Sequence, residues 1–463
     1  MSGSTATGTT LAPKLGERAL ARGSLGRRAW RSNFAWALSG NVVYAACQWG
    51  MVVALAKLGN SFMVGQFSLG LAIATPVFMF TNLQLRAVQG TDAKHQYSFR
   101  EYMGLRTVTI LIALAAIVSI VGFGRYEWDT AEVILAVVAI KGVESLSDIF
   151  YGLFLLNDRL DRTGKSMMCR GVISVMVLSA GLYVFRNLTD AIVLLAVAWL
   201  AVLVGFDAPQ GRRLACSRRD SKRSSWRRIW PQFNFGRQWA LARVSLPLGI
   251  VMTLVALNLS MPRYFIHAKL GEDELGIFSA MAYTTVAVAT FADALGHSTI
   301  PWLSRLYAGG YLAAFRSSLA KLAVAGAAVS LLGLVTVQVF GASLLRILFS
   351  AEYAAHASVF VWLVAAAGIS CVASLLNYGI TSTRCFAIQV PMFVLVVGAN
   401  VLACAWLIPK NGLTGAALAM VIAALVHLGA TSAILLHLLT SRRQARVGEP
   451  APEILLEDWE PGL

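Results

Sequence analysis

GLRTVTILIALAAIVSIVG, residues 104–122, carries one charged side chain, Arg106, near its start and an unbroken apolar run after it. As an α-helix rising 1.5 Å per residue it is about 28 Å long. That is close to the hydrocarbon thickness of a bilayer, which needs about 20 apolar residues to cross. Blocks of the same kind recur along the chain. We read twelve spans, at 34–56, 64–85, 104–122, 130–156, 168–185, 189–206, 244–266, 275–300, 320–340, 355–380, 386–408 and 412–440. Of the 463 residues, 57% are hydrophobic and only 13% charged, about half the charge of an ordinary soluble chain. Mean hydropathy is +0.66. The expected class is an all-α integral membrane protein with about twelve transmembrane helices.

The formal net charge is +16. A basic balance alone hints at nucleic acid, but here the bases sit in short loops between apolar blocks, as topology signals do. No nucleic-acid partner is expected. Arg27, Arg28 and Arg31 precede span 1, Arg86 and Lys94 follow span 2, and Arg159, Arg162 and Arg170 follow span 4. The loop after span 6 holds the densest group, from Arg212 through Arg218, Arg223 and Arg228 to Arg243, while Arg384 follows span 10 and Arg442 and Arg446 follow span 12. The other side receives few bases: Lys57, Arg125, Arg186, Arg263, Lys269, Arg346 and Lys410. The bias places both termini in the cytoplasm. Residues 1–33 are polar and basic, and the first apolar block is too long for the apolar region of a cleaved signal. Six scattered cysteines, Cys47, Cys169, Cys216, Cys371, Cys385 and Cys404, form no CxxC pair and read as small apolar residues.

The longest non-apolar interior segment, 207–243, divides the chain into an N-lobe (34–206) and a C-lobe (244–440), with tails at 1–33 and 441–463. It reads as a cytoplasmic linker lying on anionic headgroups. The halves echo each other. Ala56-Lys57-Leu58-Gly59 and Gly65-Gln66-Phe67-Ser68 in the first half correspond to Ala268-Lys269-Leu270-Gly271 and Gly276-Ile277-Phe278-Ser279 in the second. Six spans is an even number, so both halves enter from the same side. Parallel repeats of this kind place the substrate route between the lobes.

Ionisable side chains inside a bilayer are costly and face a cavity or a partner. Lys141, Glu144 and Asp148 of span 4 share one helical face. They are either a self-neutralised packing cluster or the charged wall of a cavity. Asn41, Tyr44 and Gln48 repeat the spacing on span 1, as a helix–helix seam or a sugar-facing stripe. Asp293 and His297 lie one turn apart on span 8, an ion-coupling pair or a structural one, and Arg263 sits near the end of span 7. His427 and His437 read as packing residues. Pro76, Pro247 and Pro391 are placed to kink helices. There is no GxxxxGK[ST], HExxH or GxSxG, and no extramembrane segment long enough for a catalytic domain. Neither an enzyme nor a cofactor is expected.

The stretch from Leu58-Gly59-Asn60-Ser61 through Gly65-Gln66-Phe67-Ser68, Ala74-Thr75-Pro76 and Asn82-Leu83-Gln84-Leu85-Arg86 resembles the span 1–2 region of polysaccharide-transport flippases of the multidrug/oligosaccharidyl-lipid/polysaccharide exporter superfamily. Pro262-Arg263-Tyr264-Phe265, Leu275-Gly276-Ile277-Phe278, Phe349-Ser350-Ala351-Glu352-Tyr353 and Ile408-Pro409-Lys410-Asn411-Gly412 resemble its later elements, so the resemblance covers 34–440. It implies two six-helix lobes around a central cavity. It also implies alternating access that moves a lipid-linked oligosaccharide across a bacterial inner membrane, with the glycan in the cavity and the lipid tail in the bilayer. Implied partners are the lipid-linked oligosaccharide, carried on polyprenyl pyrophosphate, membrane lipids and other polysaccharide-export proteins. Lys141, Arg86 and Arg263 are the candidates to meet the pyrophosphate, since Arg and Lys pair well with phosphate. The alternatives are a cation-coupled multidrug antiporter of the same superfamily, using Asp148 or Asp293, a membrane polymerase or glycosyltransferase, and a structural membrane scaffold.

Overall fold

The computed structural model describes residues 12–92, 96–215, 229–383 and 388–445. Lys94, Arg218, Arg223, Arg228, Arg384, Arg446, Cys216 and Cys385 lie outside the described residues. Among the described residues there are helices and no strands. The helices of the first half are α1 (Ala12–Leu58), α2 (Ser61–Asn82), α3 (Phe99–Phe123), α4 (Trp128–Leu156), α5 (Leu160–Phe185) and α6 (Leu188–Val202). α6 runs on through a π-turn, Leu203–Asp207, into Ala208–Ala215. The second half has α7 (Phe235–Leu270), α8 (Glu272–Gly309, jointed at Thr285), α9 (Leu312–Leu348) and α10 (Ala357–Ser382). A final helical segment, Gln389–Ala445, follows.

Ten helices among the described residues are long and apolar enough to cross a membrane. Two physical facts reconcile ten with the expected twelve. The apolar part of the last segment, Gln389–Thr440, has 52 residues, about 78 Å of helix and more than twice a bilayer. Its backbone breaks at Gly412, φ 56° and ψ −134°, which separates α11 (389–411) from α12 (413–445). The other is α4, which has the length at 29 residues but not the composition, because no bilayer-length stretch of it escapes Lys141 and Glu144.

The ends of the helices differ from the expected boundaries. α1 begins at Ala12, inside the expected tail, and the helices on both sides of the expected linker extend into it. Asp207, read as the first linker residue, is fully buried.

Within the first half, α1 packs on α5, α5 on α6, and α4 against α2, α3 and α6. Within the second, α10 packs between α9, α8 and the α11–α12 segment, which also covers α7. The halves meet chiefly where α2 lies against α7 and the first part of α8. The sequence repeat explains that meeting. A Cβ on Gly65 would strike the carbonyl oxygen of Glu272, and a Cβ on Gly276 would strike that of Ser61. Each glycine therefore abuts the residue four places before its counterpart, as a two-fold relation requires. Ser68 Oγ and Ser279 Oγ, also counterparts, hydrogen-bond to each other at 2.5 Å. Only glycine allows the two backbones to come so close. This end of the bundle, remote from the linker, is called the distal end below.

Candidate functional site

A cavity of about 550 Å³ lies between the halves. Its walls are mostly apolar, from Met51, Phe67, Leu71, Val137 and Ile140 on one side to Met252, Leu259, Phe278 and Val286 on the other. Six of the ten expected site residues line it: Tyr44, Gln48, Lys141, Glu144, Arg263 and Asp293.

The four charges on the wall are not equivalent. Lys141 Nζ donates to Glu144 Oε2 at 2.8 Å, one turn along α4. Tyr44 reaches the other carboxylate oxygen of Glu144 from α1, at 3.5 Å. Asp293 accepts from the hydroxyl of Tyr378 on α10, at 2.9 Å. Arg263 has no such partner. Its guanidinium lies 5.6 Å from the ring centre of Tyr283, its Nε is buried without an acceptor, and among the described residues no carboxylate pairs with it. A cation held in low dielectric without a counter-ion is a ready site for an anion.

The remaining four expected residues lie off the cavity wall. Asp148 does not join Lys141 and Glu144. It lies about 10 Å along α4 from Lys141, and it pairs instead with Arg106 of α3 at 3.0 Å and with Arg86 at 3.7 Å. Arg86 is thereby held in that cluster, its guanidinium 5.4 Å from the ring of Tyr151. Asn41 turns its amide back onto the Ala37 carbonyl of its own helix at 2.8 Å. His297 does not bond Asp293; its ring meets that of Tyr378 edge-on at 5.0 Å. Tyr378 thus touches both members of the expected pair, and it fits because Gly296 leaves the space that a Cβ would fill.

Two bases near span ends, Arg106 inside span 3 and Arg170 counted with the loop after span 4, are core residues. Arg106 is fully buried in α3 and donates to Asn82 as well as to Asp148. Arg170 of α5 bonds Ser147 and pairs at 3.2 Å with Asp207, which also accepts from Ser166 at 2.6 Å. The Arg170 guanidinium lies 5.3 Å from the Trp199 ring. Both partners are nearly inaccessible to solvent, at 2% and 0% exposure. Arg170→Met alone strands Asp207 and is expected to cost about 3–5 kcal/mol, whereas Arg170→Met with Asp207→Leu recovers most of it. Thermal unfolding of the detergent-solubilised protein, followed by size-exclusion chromatography, measures both. Of the cysteines described, Cys371 and Cys404 are buried, Cys47 is half-buried and Cys169 is exposed.

No family model matches the chain. It is 26% identical over 403 residues, 86% of this chain and 96% of the relative, to the capsular polysaccharide biosynthesis protein CapF of Staphylococcus aureus. Among solved structures it is similar to the lipid II flippase MurJ in an inward closed conformation, with a TM-score of 0.69 and 10% identity over 89% of this chain and 93% of that one. It is also similar to an inward-facing multidrug resistance MATE family transporter of the MOP superfamily, with a TM-score of 0.60 and 12% identity over 90% of this chain and 96% of that one. The resemblance read from the sequence therefore holds: the chain carries the fold of the multidrug/oligosaccharidyl-lipid/polysaccharide exporter superfamily and is a sequence relative of a capsular polysaccharide biosynthesis protein.

Proposed function

We propose that this protein is a flippase that moves a lipid-linked oligosaccharide across a bacterial inner membrane by alternating access, for surface polysaccharide biosynthesis. The observation that carries the proposal is Arg263, a guanidinium without a counter-ion on the wall of the cavity between the halves. The substrate's pyrophosphate supplies the missing anion. Lys141 adds its charge when it turns from Glu144, and Tyr44 and Gln48 face the glycan. Arg86, Asp148 and Asn41 lie off the cavity wall and play no part in this binding. The moving bodies are the lobes 34–206 and 244–440, with both termini cytoplasmic. The polysaccharide-biosynthesis relative supports a glycan cargo, and the lipid II flippase neighbour supports a fold suited to a lipid-borne one.

Purified protein in liposomes is expected to transfer a polyprenyl-pyrophosphate oligosaccharide between leaflets without nucleotide, since no phosphate-binding loop is present. A strict requirement for ATP would defeat the proposal. The second reading, a cation-coupled multidrug antiporter, is favoured by Asp293 standing in a largely apolar cavity and by the MATE neighbours. The same liposomes separate the two readings: cation-driven movement of a hydrophobic drug, with no transfer of the lipid-linked glycan, selects the antiporter.

A further inference from the structure

The halves are joined at the distal end by polar contacts that the substrate reading does not use. Ser61 of α2 donates to Asp273 of α8 at 2.7 Å. Gln66 of α2 donates to Thr130 of α4 at 3.0 Å, and Thr130 donates in turn to Glu272 Oε1 at 2.7 Å. Thr130 is fully buried. Its single hydroxyl proton is committed to Glu272, and its oxygen to the amide of Gln66.

This chain of bonds ends at Glu272. Glu272 Oε2 is buried with no hydrogen-bond partner. His267 Nδ1, on the neighbouring end of α7, is also buried with none, and it lies 4.0 Å from Glu272 Oε1. An ionised carboxylate offers only lone pairs, and the Nδ1 of an imidazole whose proton is on Nε2 does the same. In that tautomer Glu272 Oε1 and His267 Nδ1 stand as two acceptors 4.0 Å apart, and Nδ1 and Glu272 Oε2 are left unsatisfied, at a cost of the order of 1–3 kcal/mol apiece. One added proton turns either group into a donor to the other.

Burial and neighbouring acids push the Glu272 carboxyl up, whereas burial pushes the His267 imidazole down, so the proton belongs to Glu272. Glu127 at the head of α4 and Asp273 on α8 are the charged groups that act on Glu272, and both are acidic. α2 brings no titratable side chain to the joint. The phenol ring of Tyr126, just before α4, lies 5.8 Å from the imidazole, and Tyr264 of α7 lies beside Tyr126. Tyr353 of the short helix Ala351–Ala354 lies near both Glu352 and Asp273.

We propose that Glu272 and His267 form a proton-binding site at the distal joint, which takes up one proton when the halves close there and releases it when they part. The sign follows from the geometry. The closed joint has a place for the proton between two buried acceptors, whereas in the open joint both groups are hydrated and separate. Low pH therefore favours the closed distal end and high pH the open one. The proposal uses the lobe motion assumed above but not the identity of the cargo, so it can be tested without any glycan.

The test uses spin labels at Arg125→Cys and Lys410→Cys, which are exposed distal positions on the two halves, in full-length protein whose six native cysteines are replaced. Pulsed electron–electron distances are recorded in lipid nanodiscs from about pH 5.5 to about pH 8.5, the range over which imidazole charge is sensitive to its surroundings. The short-distance population is expected to fall as pH rises. Glu272→Gln, whose amide supplies the missing donor at every pH, is expected to hold the short distance throughout. His267→Gln is expected to lose the pH response while still eluting as a monodisperse protein. A native protein with no pH response would overturn the proposal, as would a Glu272→Gln or His267→Gln protein that responds like the native one. Failure of the lobes to move at all shows instead in the Ser68–Ser279 cross-link described below.

Discussion

A protein carrying Ser68→Cys and Ser279→Cys is expected to lose glycan export completely on oxidation and to regain it on reduction. The two hydroxyl oxygens already touch at 2.5 Å, so the side chains converge as a disulfide requires. The bridge would sit where the glycines of the repeat bring α2 and α8 closest together. A covalent bond there forbids the distal end from opening but leaves the cavity, its charges and the rest of the bundle untouched. Each single cysteine is expected to export normally under both conditions, which excludes damage by the substitution or by the oxidant. Export that persists in protein shown by mass spectrometry to be cross-linked would remove distal opening, and with it alternating access between these halves, from the mechanism.

That pair also illustrates how much of the fold could be read in advance. Bilayer thickness forces spans into apolar blocks of nearly fixed length, so the helices other than α4 could be counted from hydropathy, and α4 from its length despite Lys141 and Glu144. The repeat that aligns Gly65-Gln66-Phe67-Ser68 with Gly276-Ile277-Phe278-Ser279 gave the equivalence of the two halves from the sequence. Its consequence, that counterpart residues touch each other, needed the structure, because a repeat gives equivalence and not contact.

The site was legible in azimuth but not in depth. Helical spacing put Lys141, Glu144 and Asp148 on one face of α4, and they do share it. Position along the axis then separates them, and Asp148 goes to whichever cation lies at its level, Arg106. Asn41 shows the same separation on α1, where one turn lies between a cavity residue, Tyr44, and an amide bonded to its own helix. Arg106 and Arg170 were hidden for a different reason. Bases near helix ends serve as topology signals whether they point to water or into the bundle, so their burial left no trace in the charge count. Asp207 offered a hint for Arg170, as an acid just past the end of span 6 among bases. Tyr378, which links Asp293 and His297, had no signal beyond its presence in an apolar span.

Arg263→Ala is expected to reduce export by roughly ten- to a hundredfold, the loss of a charge-assisted bond to the substrate worth about 1.5–3 kcal/mol, with normal insertion and yield. This substitution is a cleaner test than any at Lys141. Removing Lys141 leaves Glu144 without its ion-pair partner inside the cavity, so a defect in Lys141→Ala mixes lost binding with an uncompensated carboxylate. Lys141→Met with Glu144→Gln removes both charges at once and is expected to fold normally yet still fail to export, because a cation is missing from the phosphate path. Among the described residues Arg263 has no carboxylate partner to strand, so its loss perturbs little but the cation–π contact with Tyr283. Arg263→Lys keeps the charge and loses the planar fork, and partial export is expected of it. Export assayed as surface polysaccharide in a complemented deletion strain, beside the amount of protein in the membrane, ranks the native protein and the three variants. The expected order is native, Arg263→Lys, then Arg263→Ala together with the double mutant. Native-level export from a well-inserted Arg263→Ala protein would take the lone cation out of the substrate path and leave the apolar cavity with Asp293, the arrangement that suits a cationic drug.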